Sequence, residues 1–136
     1  YQHLKSIRPQ VDAAAFMQLL QLWIYAPPYF EQHSEALQSG QQAAVADAQP
    51  QSQVGFEGQL DACIQHDTLD RLGHIQAPTL ITAGDMDIMT PPDFAQQLQQ
   101  GIPNAQAFHF PKGGHAHHWE YLKRFNQVST EFLLNH

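Results

Sequence analysis

Two short segments of the sequence combine charged or titratable side chains with turn-forming residues. Residues 84–91 read GDMDIMTP and contain Asp85 and Asp87, whereas residues 111–118 read PKGGHAHH and contain His115. A carboxylate that is hydrogen-bonded to one imidazole nitrogen fixes the tautomer of the ring, and the second nitrogen can then take a proton from a nucleophile. The two segments therefore predict the acid and the histidine of a catalytic triad, with either aspartate as the acid.

The histidines also permit a second interpretation, a zinc or nickel site, because imidazoles are good ligands for both metals. The candidate ligands are His109, His115, His117 and His118. His109 falls within a predicted strand, and the other three do not form the i, i+4 pair that is typical of helical metal sites. We therefore expect no metal ion and no other cofactor.

The elements that must position these segments are two strands and the helix between them. Residues 79–83 (TLITA) and 105–110 (AQAFHF) are β-favouring runs that end at glycine or proline. The run TPPD at 90–93 predicts a helix start, with the hydroxyl of Thr90 as cap, and Gly101 ends this helix. Strand, helix and strand form a βαβ unit with parallel strands, whose carboxyl ends are where ligands gather.

Helices account for most of the remaining chain. Apolar residues three and four positions apart predict a helix over residues 11–26, ended by Pro27 and Pro28. A second helix is predicted over residues 34–48, with Ser34 as its cap. A third helical face is formed by Phe56, Leu60, Cys63 and Ile64.

A last helix should pack its apolar stripe on one face of the sheet. This stripe comprises Leu122, Phe125, Val128, Phe132 and Leu133. The predicted fold class is therefore α/β, with a helical segment over residues 1–76 and a βαβα part over residues 77–136.

The composition excludes several classes of partner. The net charge is -7 with only six Lys and Arg, so no basic surface is available for nucleic acid or for an anionic membrane. No apolar run is long enough to cross a bilayer. The single cysteine, Cys63, cannot form an internal disulfide. We therefore expect a cytoplasmic protein.

The two chemistry-bearing segments closely resemble the closing part of α/β-hydrolases. The resemblance is carried by residues 77–92 (APTLITAGDMDIMTPP), 102–105 (IPNA) and 110–115 (FPKGGH). It is strongest with the esterase and enol-lactonase-like branch, in which one strand ends in Gly-x-x-Asp-x-x-Thr-Pro and the next in Pro-x-Gly-Gly-His. The resemblance implies that Asp87 is the triad acid and that His115 is the base.

The resemblance also implies roles for other residues. Residues 67–136 match well, and the upstream helices look like the family's helical cap, which lies over the active site. Trp23 and Met89 are implied as substrate-binding residues, and Asp85 is left as a loop residue bonded to local amides. Further candidates for the apolar lining are Tyr25, Tyr29, Phe30 and Met86. The alternative is that these side chains only hold helices together.

The nucleophile of the triad is missing from this sequence. In the family it precedes the acid and lies on a Gly-x-Ser-x-Gly elbow, which occurs nowhere here. The chain begins with Tyr1 rather than Met, so we expect an upstream portion. The resemblance thus implies the C-terminal part of a hydrolase that is inert alone and that acts on esters or lactones when complete.

Two expectations about partners follow from this interpretation. A parallel sheet that lacks its preceding strand exposes unpaired backbone groups along residues 79–83, so the chain should self-associate there or through its cap-like helices. The alternative function is a non-catalytic interaction or dimerisation module with a hydrolase-derived fold. An upstream reading frame with a Gly-x-Ser-x-Gly elbow favours the enzyme, whereas a native start just before Tyr1 favours the module.

Overall fold

The structure is a computed structural model that describes all 136 residues, and its fold is α/β. The chain forms two compact units, one made of residues Tyr1–Gln21 and His33–Asp67, the other of Leu22–Gln32 and Thr68–His136. None of the helices is long and apolar enough to cross a membrane. The boundary predicted between residues 76 and 77 stays a prediction.

Helices α1 to α8 and strands β1 and β2 follow one another along the chain, with two short 3₁₀ helices between them. The helices are α1 (Gln2–Ile7), α2 (Ala13–Ile24), α3 (Pro27–Gln32), α4 (Ser34–Ala46), α5 (Gln53–Gln65), α6 (Pro92–Gly101), α7 (His117–Glu120) and α8 (Leu122–Leu134). The strands are β1 (Thr79–Gly84) and β2 (Ala105–Phe110), and the 3₁₀ helices are Arg8–Gln10 and Leu69–His74.

The first unit is a helical cluster around two aromatic rings. Phe16 and Phe56 meet edge to face with their ring centroids 5.4 Å apart, and Leu4 and Leu60 are buried beside them. This edge-to-face arrangement suits the ring quadrupoles, so the pair contributes beyond its buried area. The helical periodicity predicted for α2 and α5 is confirmed, although Cys63 and Ile64 at the end of α5 are exposed.

The second unit contains the predicted βαβ arrangement. Strands β1 and β2 pair in parallel, with Thr79 opposite Ala105 at one end and Gly84 opposite Phe110 at the other. Helix α6 connects them, and its Ala95 packs with the inward-facing side chains of β1 in a small apolar core. The βαβ prediction is therefore confirmed, and both strands end at the same level.

Aromatic side chains near the carboxyl end of β2 form a further packed layer. Phe110 is buried and contacts the rings of His117 and Tyr121, with centroids 5.1 Å and 5.7 Å away. In α8 the predicted apolar stripe is only partly correct. Val128 is buried, but Leu122 and Leu133 are 50% and 73% exposed, because they lie on the outer side of the helix.

Two predictions about helix caps were wrong. Ser34 is the first residue of α4 rather than its cap, and no side chain caps that helix. The hydroxyl of Thr90 does not cap α6, since it donates to a carboxylate of the preceding loop instead. Helix α2 ends before Pro27 and Pro28, as predicted, and the two prolines also begin α3, where a missing amide hydrogen costs nothing.

The glycines beside the predicted site serve close packing and not an unusual backbone conformation, since no residue has a positive φ. A β-carbon on Gly84 would lie far inside van der Waals contact of the carbonyl oxygens of Gly113 and Gly114. On Gly114 a β-carbon would lie 2.6 Å from the amide nitrogen of Ala26. These glycines therefore let three stretches of backbone meet without side chains between them.

This packing predicts opposite effects for two Gly-to-Ala substitutions. Gly84→Ala should lower the free energy of unfolding by about 1–3 kcal/mol, because the obstructing atoms are backbone and cannot rotate away. Gly58→Ala, within α5 and with nothing near the added carbon, should raise it by roughly 0.5–1 kcal/mol. Denaturant melts would measure both, and equal effects of the two substitutions would contradict the packing argument.

Candidate active site

The carboxylate of Asp87 is fixed by the turn that follows β1. Its Oδ1 accepts hydrogen bonds from the amides of Met89, at 2.8 Å, and Thr90, at 3.0 Å. The amide of Asp87 donates to the carbonyl of Gly84 at 3.1 Å, which closes the turn. Asp87 is only 6% exposed, so its orientation is set by these bonds and not by solvent.

The second oxygen of the same carboxylate faces His115. Oδ2 lies 2.9 Å from Nδ1 of His115 and accepts the hydroxyl hydrogen of Thr90 at 2.6 Å. Because an ionised carboxylate can only accept, Nδ1 of His115 is the donor in this pair and Nε2 is left with a free lone pair. The imidazole is 39% exposed, so a proton on a reacting group can reach that nitrogen.

Opposing effects act on the pKa of Asp87, and the net result is a pKa below its ordinary value. Burial is the largest single effect and raises the pKa, because it penalises the charged form. The hydroxyl and amide of Thr90, the ring of His115 and the amide of Met89 lower it, and together they outweigh burial. Asp87 therefore stays ionised at neutral pH, as a partner for an imidazolium must.

Backbone hydrogen bonds join the loop after β1 (residues 85–91, the acid loop) to the loop after β2 (residues 111–116, the histidine loop). The amide of Asp85 donates to the carbonyl of Phe110 at 3.0 Å, which extends the strand pairing by one residue. The amide of Met86 then donates to the carbonyl of Gly113 at 2.9 Å. The two loops thus continue from in-register strand ends as a connected pair, and this brings Asp87 to His115.

Asp85 has a different partner from Asp87. Its Oδ1 lies 2.7 Å from Nδ1 of His109, and both side chains are about two-fifths exposed. This differs from the bonding to local amides that was expected from the sequence. His109 is exposed, so Asp85 is engaged in a separate surface pair, and of the two aspartates only Asp87 contacts His115.

His117 has a structural environment. It is buried, its Nδ1 donates to the carbonyl of Gly114 at 3.2 Å, and its Nε2 accepts from the hydroxyl of Thr82 at 3.1 Å. Burial lowers its pKa, so the ring is held neutral between β1 and the histidine loop. His109, His115 and His117 therefore have three separate sets of partners, and no group of three or more potential ligands lies together.

The backbone on both sides of His115 is tied to residues 24–26, a turn that is far away in sequence. The amide of Ala116 donates to the carbonyl of Ile24 at 2.9 Å. The amide of Gly114 donates to one carboxylate oxygen of Glu120 at 2.7 Å, and the amide of Ala26 donates to the other at 2.6 Å. The turn between α2 and α3 is thereby attached directly to the histidine loop.

The two residues predicted to bind substrate lie beside this arrangement. Trp23 precedes Ile24 in the last turn of α2 and is 37% exposed, and Met89 lies in the acid loop with its amide bonded to Asp87. Two further lining candidates, Tyr25 and Tyr29, stack with their centroids 4.5 Å apart. Their roles in binding stay predictions.

Sequence reasoning missed two polar residues that support the site. The hydroxyl of Thr90 was assigned to a helix cap, although a threonine three residues after an aspartate also has the spacing of a side-chain turn. No sequence signal could have identified Glu120, because its partners are backbone amides and one of them is 94 positions away.

Comparison with known proteins gives a consistent result. A family model described as "alpha/beta hydrolase fold" matches residues 20–121. Among curated relatives, a 2-hydroxy-6-oxononadienedioate/2-hydroxy-6-oxononatrienedioate hydrolase of Cupriavidus pinatubonensis is 46% identical over 65 residues, which are 48% of this chain and 22% of that protein. A 2-hydroxy-6-oxo-6-phenylhexa-2,4-dienoate hydrolase of Burkholderia cepacia is 41% identical over 69 residues, 51% of this chain and 24% of that protein.

Solved structures are similar over nearly the whole chain. The enol-lactonase from Burkholderia xenovorans superposes with a TM-score of 0.83 at 17% identity, covering 98% of this chain and 50% of its own. An α/β hydrolase from a Medee basin deep-sea metagenome library gives a TM-score of 0.83 at 22% identity, covering 97% and 48%. At these identities the likeness shows the fold, and the chain spans about half the length of these structures.

Proposed function

The chain belongs to the α/β-hydrolase fold family, and from that premise we propose that it supplies the acid and the histidine of a serine-type hydrolase acting on carboxylic esters or lactones. The observation that supports this most strongly is the 2.9 Å contact between Oδ2 of Asp87 and Nδ1 of His115. The carboxylate is buried and the imidazole is partly exposed, which suits an orienting acid and a histidine that exchanges protons with reacting groups.

Each residue has a defined task in this proposal. Asp87 holds His115 in the Nδ1-protonated tautomer and stabilises the imidazolium once it forms. Nε2 of His115 removes the proton from the nucleophile as it attacks the carbonyl carbon, and then returns a proton to the departing alkoxide. Trp23 and Met89 contribute apolar surface for the substrate.

The nucleophile comes from outside this sequence in the proposed enzyme. The chain contains no Gly-x-Ser-x-Gly elbow, and the first curated relatives are aligned over only 22% and 24% of their own length. A serine on such an elbow is activated by the histidine and is followed by a backbone amide of the oxyanion hole. Two catalytic parts that the mechanism requires are therefore not supplied by residues 1–136.

The proposal predicts that the 136-residue chain is inert by itself. Loss of the nucleophile from a triad lowers kcat on the order of 10⁶-fold, so p-nitrophenyl acetate should be hydrolysed no faster than by an Asp87→Ala, His115→Ala double variant. A spectrophotometric assay of p-nitrophenol release would measure both rates. A burst or steady turnover above the double variant would contradict the prediction.

The same assay becomes a positive test once the chain is joined to the upstream portion of its reading frame. The longer protein should hydrolyse activated esters or lactones, and His115→Ala should lower kcat about 10⁶-fold and Asp87→Asn about 10⁴-fold. Glu131→Gln, an exposed substitution in α8, is the matched control and should keep full activity. An upstream portion without an elbow, or activity that is insensitive to His115→Ala, would overturn the proposed function.

A second candidate substrate class comes from the curated relatives, which are hydrolases named for 2-hydroxy-6-oxo-dienoates and are 41% and 46% identical to parts of this chain. Such compounds carry a ketone and no ester, so their hydrolysis has to break a carbon–carbon bond beside that carbonyl. The same aspartate–histidine pair can serve both reactions, because each requires activation of a nucleophile and protonation of a leaving group. Parallel assays with an aryl ester and with such a dienoate would distinguish them.

We also propose that the isolated chain self-associates through the free edge of β1. The amides of Thr79 and Asp85 donate towards β2, so strand alternation directs those of Leu80 and Thr82 to the opposite edge, where no strand pairs. An unpaired edge of this kind is a template for another strand. Light scattering at micromolar concentration should therefore give a mass above that of the 15.3 kDa monomer, and a single monomeric species would contradict the proposal.

A further inference from the structure

Glu120 makes two hydrogen bonds that connect parts of the chain distant in sequence. It is the last residue of α7, and its two carboxylate oxygens accept from different backbone amides, those of Gly114 at 2.7 Å and Ala26 at 2.6 Å. Neither amide is part of a helix or strand, so neither has a partner within regular structure. The side chain of Glu120 thus gives a hydrogen-bond acceptor to two backbone amides that would otherwise lack an acceptor.

The hydrogen bonds of Glu120 matter because one of the two amides lies next to His115 in the sequence. Gly114 immediately precedes His115, and Ala116, which immediately follows it, donates to the carbonyl of Ile24. Ala26 and Ala116 are 0% and 3% exposed, so this backbone is packed as well as hydrogen-bonded. Both neighbours of the histidine are therefore held to one turn, residues 24–26, and only the side chain of residue 115 is left to face Asp87.

We propose that Glu120 is the positioning residue for His115, which it serves by clamping the histidine loop to the turn between α2 and α3. The side chain of Glu120 hydrogen-bonds to neither the imidazole nor Asp87, so in this proposal it acts through the backbone. The inference rests on the proposed function for its catalytic meaning. Beyond that function, the inference couples the histidine loop to the segment that carries Trp23. The carboxylate of Glu120 then sets the geometry of the loop and of this segment together.

A carboxylate is the chemically appropriate group for this clamp. Its two oxygens can each accept from one amide, and hydrogen bonds to an ionised acceptor are stronger than those between neutral groups. A glutamine at this position offers one accepting oxygen and a donating NH₂ group, which would face an amide hydrogen. Glu120→Gln therefore removes one of the two bonds while preserving the size of the side chain.

The test uses the 136-residue chain without substrate. Hydrogen exchange followed by NMR should show that Glu120→Gln accelerates exchange at Gly114 or Ala26 about tenfold or more, relative to Ile81 in β1. The carboxyl titration of Asp87 should also move towards higher pH, because displacement of His115 removes one of the hydrogen bonds that lower its pKa. Glu131→Gln in α8 is the matched control and should change neither quantity.

The outcomes separate positioning from a general loss of stability. If Glu120→Gln accelerates exchange equally at Ile81 and Gly114 and leaves the Asp87 titration unchanged, Glu120 has only a structural role and the inference is wrong. If Glu120→Gln does not fold, Glu120→Asp provides the same test, since it keeps the charge but shortens the side chain by one methylene, which should lengthen at least one of the two hydrogen bonds. Neither amide exchange nor the Asp87 titration requires catalysis. The positioning role of Glu120 can therefore be tested even if the proposed hydrolase activity fails, and the hydrolase activity can be tested even if Glu120 has no positioning role.

Discussion

A buried carboxylate that shares a hydrogen bond with a partly exposed imidazole is the interaction on which the account of this protein depends. Removing a charge from water has a large unfavourable free energy. Hydrogen bonds to both oxygens of Asp87 offset that free energy here. Met89 and the amide of Thr90 bind one oxygen, whereas the hydroxyl of Thr90 and the ring of His115 bind the other. The net lowering of the Asp87 pKa reflects this balance.

The rest of the second unit can be understood as support for that pair. Parallel strands that end in register deliver the two loops to the same level, and glycines remove the side chains that would keep them apart. His117 and Glu120 also hold the histidine loop, the first through Thr82 of β1 and the second through Ala26. Without these contacts we expect the imidazole to be freer to leave the carboxylate, whereas the proposed role of His115 as a general base requires it to stay in place.

Much of this arrangement could be predicted from the sequence, because local signals carry it. The β-favouring runs, the TPPD helix start and the placement of Asp87 and His115 after successive strands all depend on residues close to one another in the chain. What escaped prediction depends on how segments distant in the sequence pack together. The exposure of Leu133, the two bonds of Glu120 and the pairing of Asp85 with His109 are tertiary consequences that no periodicity encodes. The role of Thr90 was missed because its position suits both a helix cap and a side-chain turn with the preceding aspartate.

The central claim is that Asp87 holds the imidazole of His115 in the Nδ1-protonated tautomer, and long-range proton–nitrogen NMR correlation at pH 9 measures that tautomer directly. The account predicts a protonated Nδ1 and an unprotonated Nε2 for His115, and a loss of this preference in Asp87→Asn. A dominant Nε2-protonated tautomer in the unsubstituted chain, or one that Asp87→Asn leaves unchanged, would contradict it.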